Sequence, residues 1–364
     1  MSGHAGETNM PYLMNTWYVA AWADEVGRAL LPRQLLGQPV VLYRCEDGTP
    51  AALADRCPHR FAPLHRGRLV GDQIECAYHG LRFDGGGACT FNPHGNGMVP
   101  PRARVASYPL VERHALLWIW LGEPAQADPA LIPEFDFLED PDFQNVKGYT
   151  LAEGHYELMT DNIMDLGHIE FLHPGLLGSD AVRKAQTEIT QDGNTVHSNR
   201  LTRDEVLPPV LQAWYEAGER PVQRWLNVRW DPPATMKLTV GVQPDGTPRA
   251  DAHESQGCHL MTPATETTTH YFWAQGRNWG ARDPKMDALR LESLRKAFDT
   301  QDKPMIEAVQ RNMGTTDLDS LRPVMLATDG GPVRARRVLR ELIAEEALLR
   351  APTPTPTPTP PQPA

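Results

Sequence analysis

This sequence predicts an α+β chain folded in two units, on three observations. Short apolar and aromatic runs bounded by Gly, Pro or Asp crowd residues 1–125. Longer β-branched runs and helical segments share residues 126–350. Between them stands EPAQADPALIPEFDFLEDP (123–141), a Pro- and acid-rich connection of the kind that separates domains. The expected division is therefore a β-rich domain at 1–125, a mixed sheet-and-helix domain at 126–350, and a Pro/Thr tail at 351–364.

In the first unit, PVVLYR (39–44), PAALA (50–54) and LLWIWLG (116–122) read as strands. In the second, HYELMTDNIMDLGHIEFLHP (155–174) reads as a helix that runs up to Pro174. QRWLNVRW, ATMKLTVGV, GCHLMTP and TTTHYFWAQGRNW read as strands of an antiparallel sheet. A long amphipathic helix over 284–313 is expected to be interrupted by Pro304. After Asp329-Gly330-Gly331 comes a last helix, VRARRVLRELIAEEALLR. The tail APTPTPTPTPPQPA is expected to be a solvated polyproline-like chain.

Composition narrows the function. At 364 residues and 41% hydrophobic content, the chain can bury two ordinary cores. No apolar run approaches the length of a membrane span, and the N-terminus lacks a secretory pattern, so a cytoplasmic protein is expected. A formal charge of -11 gives no basic surface for nucleic acid. Five cysteines, two of them assigned to metal below, leave Cys45, Cys89 and Cys258, which form no disulfide framework.

The chemistry starts at CPHRFAPLHRGRLVGDQIECAYHG. Cys57-x-His59 and Cys76-x-x-His79 are separated by sixteen residues. Each loop offers one thiolate and one imidazole. Zinc sites more often pair like ligands, about two to four residues apart. Mixed pairs on two loops suit a flat [2Fe-2S] cluster of the Rieske type, with two Cys on one iron and two His on the other. Gly67, Gly71, Gly80 and Gly85 to Gly87 allow tight turns around such a cluster. The segment 56–82 carries Arg56, Arg60, Arg66, Arg68 and Arg82 against Asp72 and Glu75. That surplus of positive charge could steer an acidic electron donor or pair with a neighbouring subunit.

A cluster of this kind only passes single electrons, so a destination is required. Asp165, His168 and His173 lie in NIMDLGHIEFLHP. On a regular helix Asp165 and His168 share a face, whereas His168 and His173 stand about 140° apart. Pro174 disfavours helix at His173 and lets that residue turn back. Two imidazoles and one carboxylate form the facial triad of oxygen-activating Fe(II). The carboxylate is expected from elsewhere in the chain.

With these motifs in place, the chain resembles the Rieske non-haem iron aromatic oxygenases, in the branch with vanillate O-demethylase and dicamba O-demethylase. The resemblance runs from NTWYVAAW (15–22) to about Glu345 and includes Asn162-x-x-Asp165-x-x-His168-x4-His173. It implies a Rieske domain followed by a helix-grip catalytic domain. It assigns mononuclear iron to His168 and His173, with Asp302 as third ligand and Asp299 as its rival. Asp165 becomes the inter-subunit electron bridge of a head-to-tail homotrimer, with Asn162 beside it as a catalytic residue. His259 lines up with the histidine that contacts the substrate carboxylate in the dicamba enzyme, and Leu238 stands where that enzyme has a pocket asparagine.

The implied activity is that of an oxygenase component. It takes electrons from NAD(P)H through a separate flavin- or ferredoxin-type reductase and uses O2 as co-substrate. The expected reaction is O-demethylation of a methoxylated, vanillate-like aromatic acid with release of formaldehyde. Aryl-methyl hydroxylation and ring cis-dihydroxylation are the alternatives within the family. A non-catalytic Rieske electron carrier is the alternative of another class, separated by iron content: about three irons per chain against two.

Overall fold

The computed structural model describes residues 12–280 and 282–350; the Pro/Thr tail lies outside the described residues. The N-terminal strands are β1 (Trp17–Trp22), β2 (Leu31–Leu35), β3 (Gln38–Arg44), β4 (Pro50–Ala54), β5 (Arg68–Val70), β6 (Gln73–Glu75), β7 (Arg82–Phe83), β8 (Cys89–Phe91), β9 (Leu110–Arg113) and β10 (Leu116–Trp120). They form three antiparallel sheets in the orders β1-β10-β9, β2-β3-β4 and β5-β6-β7-β8. The last of these carries the two Cys-His loops at one end.

A single antiparallel sheet dominates the rest. Its strands are β11 (Gln144–Ala152), β12 (Gln186–Asp192), β13 (Thr195–Glu205), β14 (Val222–Asp231), β15 (Thr235–Pro244), β16 (His253–Thr265) and β17 (Thr268–Arg277). The order is β11-β17-β16-β15-β14-β13-β12. The helices are α1 (Tyr156–Met164), α2 (Ile169–Leu172), α3 (Pro209–Trp214), α4 (Pro284–Arg295), α5 (Lys303–Met313) and α6 (Gly330–Arg350). α1 lies over β14 and β16, α4 packs on β11, and α6 packs on β13. The sheet is tightly packed at Gly241, where a Cβ would fall 1.7 Å from the ring of Trp225 on the neighbouring strand.

The two units share cores. β1 and β10, WYVAAW and LLWIW, are buried at every position. Trp17, Trp22, Trp118 and Trp120 pack with Phe135, with Cys258 of β16 and with Phe272 of β17. Main-chain bonds cross as well, with Leu36 N–H donating to the Pro263 carbonyl at 2.7 Å. At the other end, the Glu346 carboxylate of α6 accepts from the N–H groups of Met14 and Asn15 at 2.7 and 2.9 Å. Helix α6 thus holds the residues just before β1.

Two helix expectations change. The helix expected over 155–174 stops at Met164, because Asp165 leaves helical geometry with φ -108° and ψ 89°. Its carboxylate accepts from Gly167 N–H at 2.8 Å and caps a short 3₁₀ turn, Leu166–His168, before α2. The helix expected to break at Pro304 instead widens before it, into a π-helical segment at Lys296–Asp302. Pro304 then lies in the first turn of α5, where its missing N–H costs least.

Candidate metal centres and substrate cavity

The two Cys-His loops are built alike. Cys57 N–H donates to the Ala62 carbonyl at 2.9 Å and Phe61 N–H to the Cys57 carbonyl at 2.9 Å. Cys76 N–H donates to the Leu81 carbonyl at 2.8 Å and Gly80 N–H to the Cys76 carbonyl at 2.9 Å. The matching positions Phe61 and Gly80 both take a left-handed backbone, φ 58° and 70°. Both cysteines are buried, and His59 and His79 rings meet edge-on with centroids 4.3 Å apart.

This donor set fits a [2Fe-2S] cluster. Burial pushes the Cys57 thiol up to about 11, and the neighbouring Cys76 adds to the effect. Two buried thiols side by side have no ionic partner of their own, and a bound cation reverses that balance. His79 Nδ1 is buried without a hydrogen-bond partner, while its carbonyl accepts from His94 Nε2 at 2.9 Å. A buried, unpartnered ring nitrogen beside two buried thiols is what a ligand set looks like. The arginine surplus is smaller than the sequence suggests. Arg68 and Arg82 both bond Glu75, at 2.7 and 2.8 Å, and Arg56 stacks over Phe61 at 4.2 Å.

His168, His173 and Asp302 converge. Nε2 of His168 lies 3.5 Å and Nε2 of His173 3.2 Å from Asp302 Oδ1. One donor atom from each of the three falls within 4.8 Å of the others. The break at Asp165 and the turn at His173 bring the imidazoles together, as the α2 helix spans only Ile169–Leu172. The π-helical segment ends on Asp302 and turns it inward, where it is buried. Wide turns of this type occur mostly at functional sites.

Hydrogen-bond partners fix the orientation of each of the three side chains. His168 Nδ1 bonds the Asp165 main-chain carbonyl at 2.6 Å, and His173 Nδ1 bonds Gln301 Oε1 at 2.8 Å. Both acceptors select the Nδ1–H tautomer and leave the Nε2 lone pairs facing Asp302. Asn162 Nδ2 donates to Asp302 Oδ1 at 3.1 Å. Burial lowers the basicity of His168. For His173 burial acts the same way, but Asp302 and Gln301 outweigh it and raise its affinity for a proton. Two imidazoles and one carboxylate, with no fourth His, Cys, Asp or Glu in the group among the described residues, fit a metal with open positions. Asp299 is absent from this group and bonds Thr150 Oγ1 instead.

Asp165 differs from the expectation that it shares a helix face with His168. Its carboxylate turns to Gly167 N–H and to Arg200, whose Nη2 donates at 2.7 Å. Only its main-chain carbonyl touches His168. Gln301 and Arg200 were not visible as site residues, since nothing in their local sequence marks them.

A largely apolar cavity opens beside His168, His173 and Asp302, and His259 and Leu238 line it. Pairing of Leu238 with Gly257 puts Leu238, Gly257 and His259 on one face of the sheet. His259 is buried, with its affinity for protons pushed down to about 4 by that burial, so the ring is neutral at physiological pH. Its Nδ1 bonds the Tyr271 hydroxyl at 2.6 Å. Where that hydroxyl donates, Nε2 carries the ring's proton.

Comparison with known proteins agrees with this arrangement. Residues 16–109 match the Rieske [2Fe-2S] domain, and residues 152–345 match the vanillate O-demethylase oxygenase C-terminal domain. The chain is 42% identical over 340 residues to the dicamba O-demethylase oxygenase component of Stenotrophomonas maltophilia, covering 93% of this chain and 100% of that one. It is 31% identical to a vanillate O-demethylase oxygenase subunit of Pseudomonas sp., covering 91% and 95%. A crystal structure of dicamba monooxygenase bound to 3,6-dichlorosalicylic acid superposes with TM-score 0.89 at 39% identity, covering 92% of this chain and 99% of that one. No helix among the described residues is long and apolar enough to cross a membrane. The chain belongs to the Rieske non-haem iron oxygenases, in the branch that carries the vanillate O-demethylase oxygenase C-terminal domain.

Proposed function

We propose that this chain is a cytoplasmic oxygenase component that O-demethylates a methoxylated aromatic acid of the vanillate type. The observation that carries the reading is the placement of His168, His173 and Asp302 against one apolar, ring-lined cavity. Cys57, His59, Cys76 and His79 would hold the [2Fe-2S] cluster, and His168, His173 and Asp302 the mononuclear iron. When bound, these groups supply single electrons and oxygen activation.

The chain's own residues do the rest. Gln301 and the Asp165 carbonyl hold the two imidazoles in one tautomer. Asn162 pins the Asp302 oxygen. Leu238 and Phe298 line an apolar wall that keeps water from the reacting methyl group. His259, neutral and braced by Tyr271, is placed to donate to a substrate oxygen.

The reaction balances as follows. A methoxyarene, O2, two electrons and two protons give the hydroxymethyl ether and water. That hemiacetal splits to formaldehyde and the phenol. Electrons come from NAD(P)H through a flavin- or ferredoxin-type reductase. The cluster of one subunit would take them up, and its ligand His59 or His79 would hand them on through Asp165 to His168 of the next subunit, in a head-to-tail homotrimer. His59 and the loop-tip residues Phe61 and Tyr78 are exposed, as such docking requires.

Formaldehyde release across a panel of methoxylated aromatic acids, with a matched reductase, tests the reading. Release from at least one acid, with the phenol in equal amount, is expected. A benzylic alcohol from methylarenes, or a ring cis-diol, in place of formaldehyde would move the activity to one of the family's other chemistries.

A further inference from the structure

Four glycines interrupt the strands of the large sheet: Gly148 in β11, Gly241 in β15, Gly257 in β16 and Gly276 in β17. A glycine inside a strand marks a bulge, a bend or a place where another group comes close to the main chain. At three of the four, that group is a side chain of the protein. A Cβ on Gly148 would fall 2.2 Å from the Trp273 ring, on Gly241 1.7 Å from the Trp225 ring and on Gly276 2.1 Å from Asn145 Oδ1. Gly257 differs. The atoms nearest to its missing Cβ are the carbonyl oxygens of Ala274 at 3.2 Å and Leu238 at 3.6 Å, and His259 Nε2 at 3.8 Å. Pairing runs without a bulge past Gly257 on both sides, so strand geometry does not account for the glycine.

The space above Gly257 belongs to the cavity. Gly257 lines it, together with Leu238, Ser255, His259 and Gln275. Leu238 and Gln275 are the cross-strand partners of Gly257, and Ser255 and His259 lie two residues to either side on the same face of β16. These four side chains surround a recess whose floor is main chain. Ala274 shows how deep it goes. Its side chain packs in the tryptophan-rich core on the opposite face of the sheet, yet Ala274 also lines the cavity. It does so through its peptide, which the absence of a side chain at Gly257 uncovers.

The atoms around the recess decide what suits it. His259 Nδ1 is engaged by the Tyr271 hydroxyl at 2.6 Å, and Nε2 is the nitrogen that borders the recess. The Ala274 and Leu238 carbonyls are acceptors, and a carbonyl oxygen has two lone pairs, so a ladder bond leaves one free. A hydrogen bond spans about 2.7–3.2 Å. An oxygen slightly above the Cβ position therefore reaches the Ala274 carbonyl and Nε2 together. A hydroxyl serves both, donating to the carbonyl and accepting from Nε2–H. A carboxylate has no proton to donate, and two carbonyl dipoles at this range repel it. We propose that Gly257 is a specificity-determining residue, and that the recess it leaves takes a phenolic hydroxyl of the aromatic substrate. The assignment rests on the proposed oxygenase reading for the aromatic ring and deepens it: the hydroxyl is read by the main chain of β15 to β17 and by His259, with the carboxylate outside the recess.

The test is equilibrium binding by calorimetry on metal-loaded enzyme. The probes are 3-methoxybenzoate, its ring-hydroxylated derivatives, and the same derivatives with that hydroxyl capped as a methyl ether. Wild-type enzyme should bind at least one hydroxylated acid about tenfold more tightly than both the parent and the capped form. Gly257→Ala puts a methyl group into the recess. It should bring that acid down to the affinity of 3-methoxybenzoate, whose own binding stays within about twofold of wild type, as expected for the loss of one hydrogen-bonded group. His259→Phe, which keeps a ring but has no Nε2–H, should cost the hydroxylated acid severalfold and spare the parent. No preference for any hydroxylated acid in wild type overturns the recess, and that comparison stands even where a variant fails to fold. Equal weakening of parent and hydroxylated acid by Gly257→Ala overturns it too. Formaldehyde assays run in parallel separate the two readings. A hydroxyl preference that Gly257→Ala removes, without any O-demethylation, keeps the recess and removes the reaction. O-demethylation of all the probes with equal affinities does the reverse.

Discussion

Replacing Asp165 with Asn separates a structural role from an electron-transfer role at one residue. The Asp165 carboxylate accepts from Arg200 Nη2 at 2.7 Å and from Gly167 N–H at 2.8 Å. Arg200 has only 4% of its side chain exposed, against 25% for Asp165. Stripping a buried ion of its partner costs roughly 3–5 kcal/mol when both are fully buried. Here the amide oxygen of Asn can still accept both bonds, and solvent reaches the Asp165 side, so a loss of about 1–2 kcal/mol is expected. Arg200→Gln should cost a similar amount. The double variant should cost less than the two singles together, by about 1 kcal/mol, because they remove one shared interaction. Urea unfolding followed by far-UV circular dichroism reads these values. Stopped-flow single turnover of pre-reduced enzyme, following re-oxidation of the cluster, reads transfer. Asp165→Asn should slow transfer by at least ~10-fold with both metals bound, whereas Arg200→Gln, which keeps the carboxylate, should transfer far faster than Asp165→Asn. Wild-type transfer in Asp165→Asn would refute the bridge and leave Asp165 as a turn cap. Equal loss in Arg200→Gln would show that the geometry of the turn matters and the charge does not.

Three other outcomes are expected. His79→Cys should keep a two-iron cluster but lower its potential by on the order of 100 mV or more, because a thiolate donates more charge than an imidazole; an unchanged potential by redox titration removes His79 from the ligands. Asp302→Ala should lose the mononuclear iron and turnover while the cluster irons remain on metal analysis, and Asp299→Ala, whose carboxylate bonds Thr150, should keep both; the opposite pair of results makes Asp299 the ligand. Gly241→Ala drives a methyl group into the Trp225 ring and should destabilise the sheet by about 1–3 kcal/mol in thermal unfolding; a wild-type melting temperature would mean that the ring moves aside freely.

The cluster motif was legible because its ligands sit on two short loops whose spacing is itself the geometry. The spacing of His168 and His173 alone would set their rings about 140° apart on a regular helix; only Pro174 marked the turn that brings them to 5.3 Å between centroids. Asp302 lies far along the chain, so only family resemblance could nominate it; what delivers it is the wide segment Lys296–Asp302, which the sequence announced merely as an irregularity near Pro304. The strands β14 to β17 were read correctly from their apolar runs. β13 was missed for a physical reason: it alternates buried and half-buried positions, but Ser198, Arg200 and Thr202 are among the buried ones. A polar interior face carries no hydrophobic period. β12 was missed because nearly every residue in it is exposed. The break at Asp165 was hidden too, since an Asp three residues before a His looks like a helical pair until Gly167 takes the carboxylate as a cap.

The π-helical segment sets the site's register like a one-residue shim. Each residue added to a helix advances the next by about 100° around the axis. Delete one residue from Lys296–Asp302 and the segment can relax to ordinary α geometry, but everything after it rotates relative to everything before. Either α5 stays docked and α4 swings off β11, or α4 stays and the Asp302 carboxylate turns out of reach of His168 and His173. Length, more than composition, is what this stretch of chain has to keep: many side chains could fill it, and only one count of residues leaves Asp302 pointing inward.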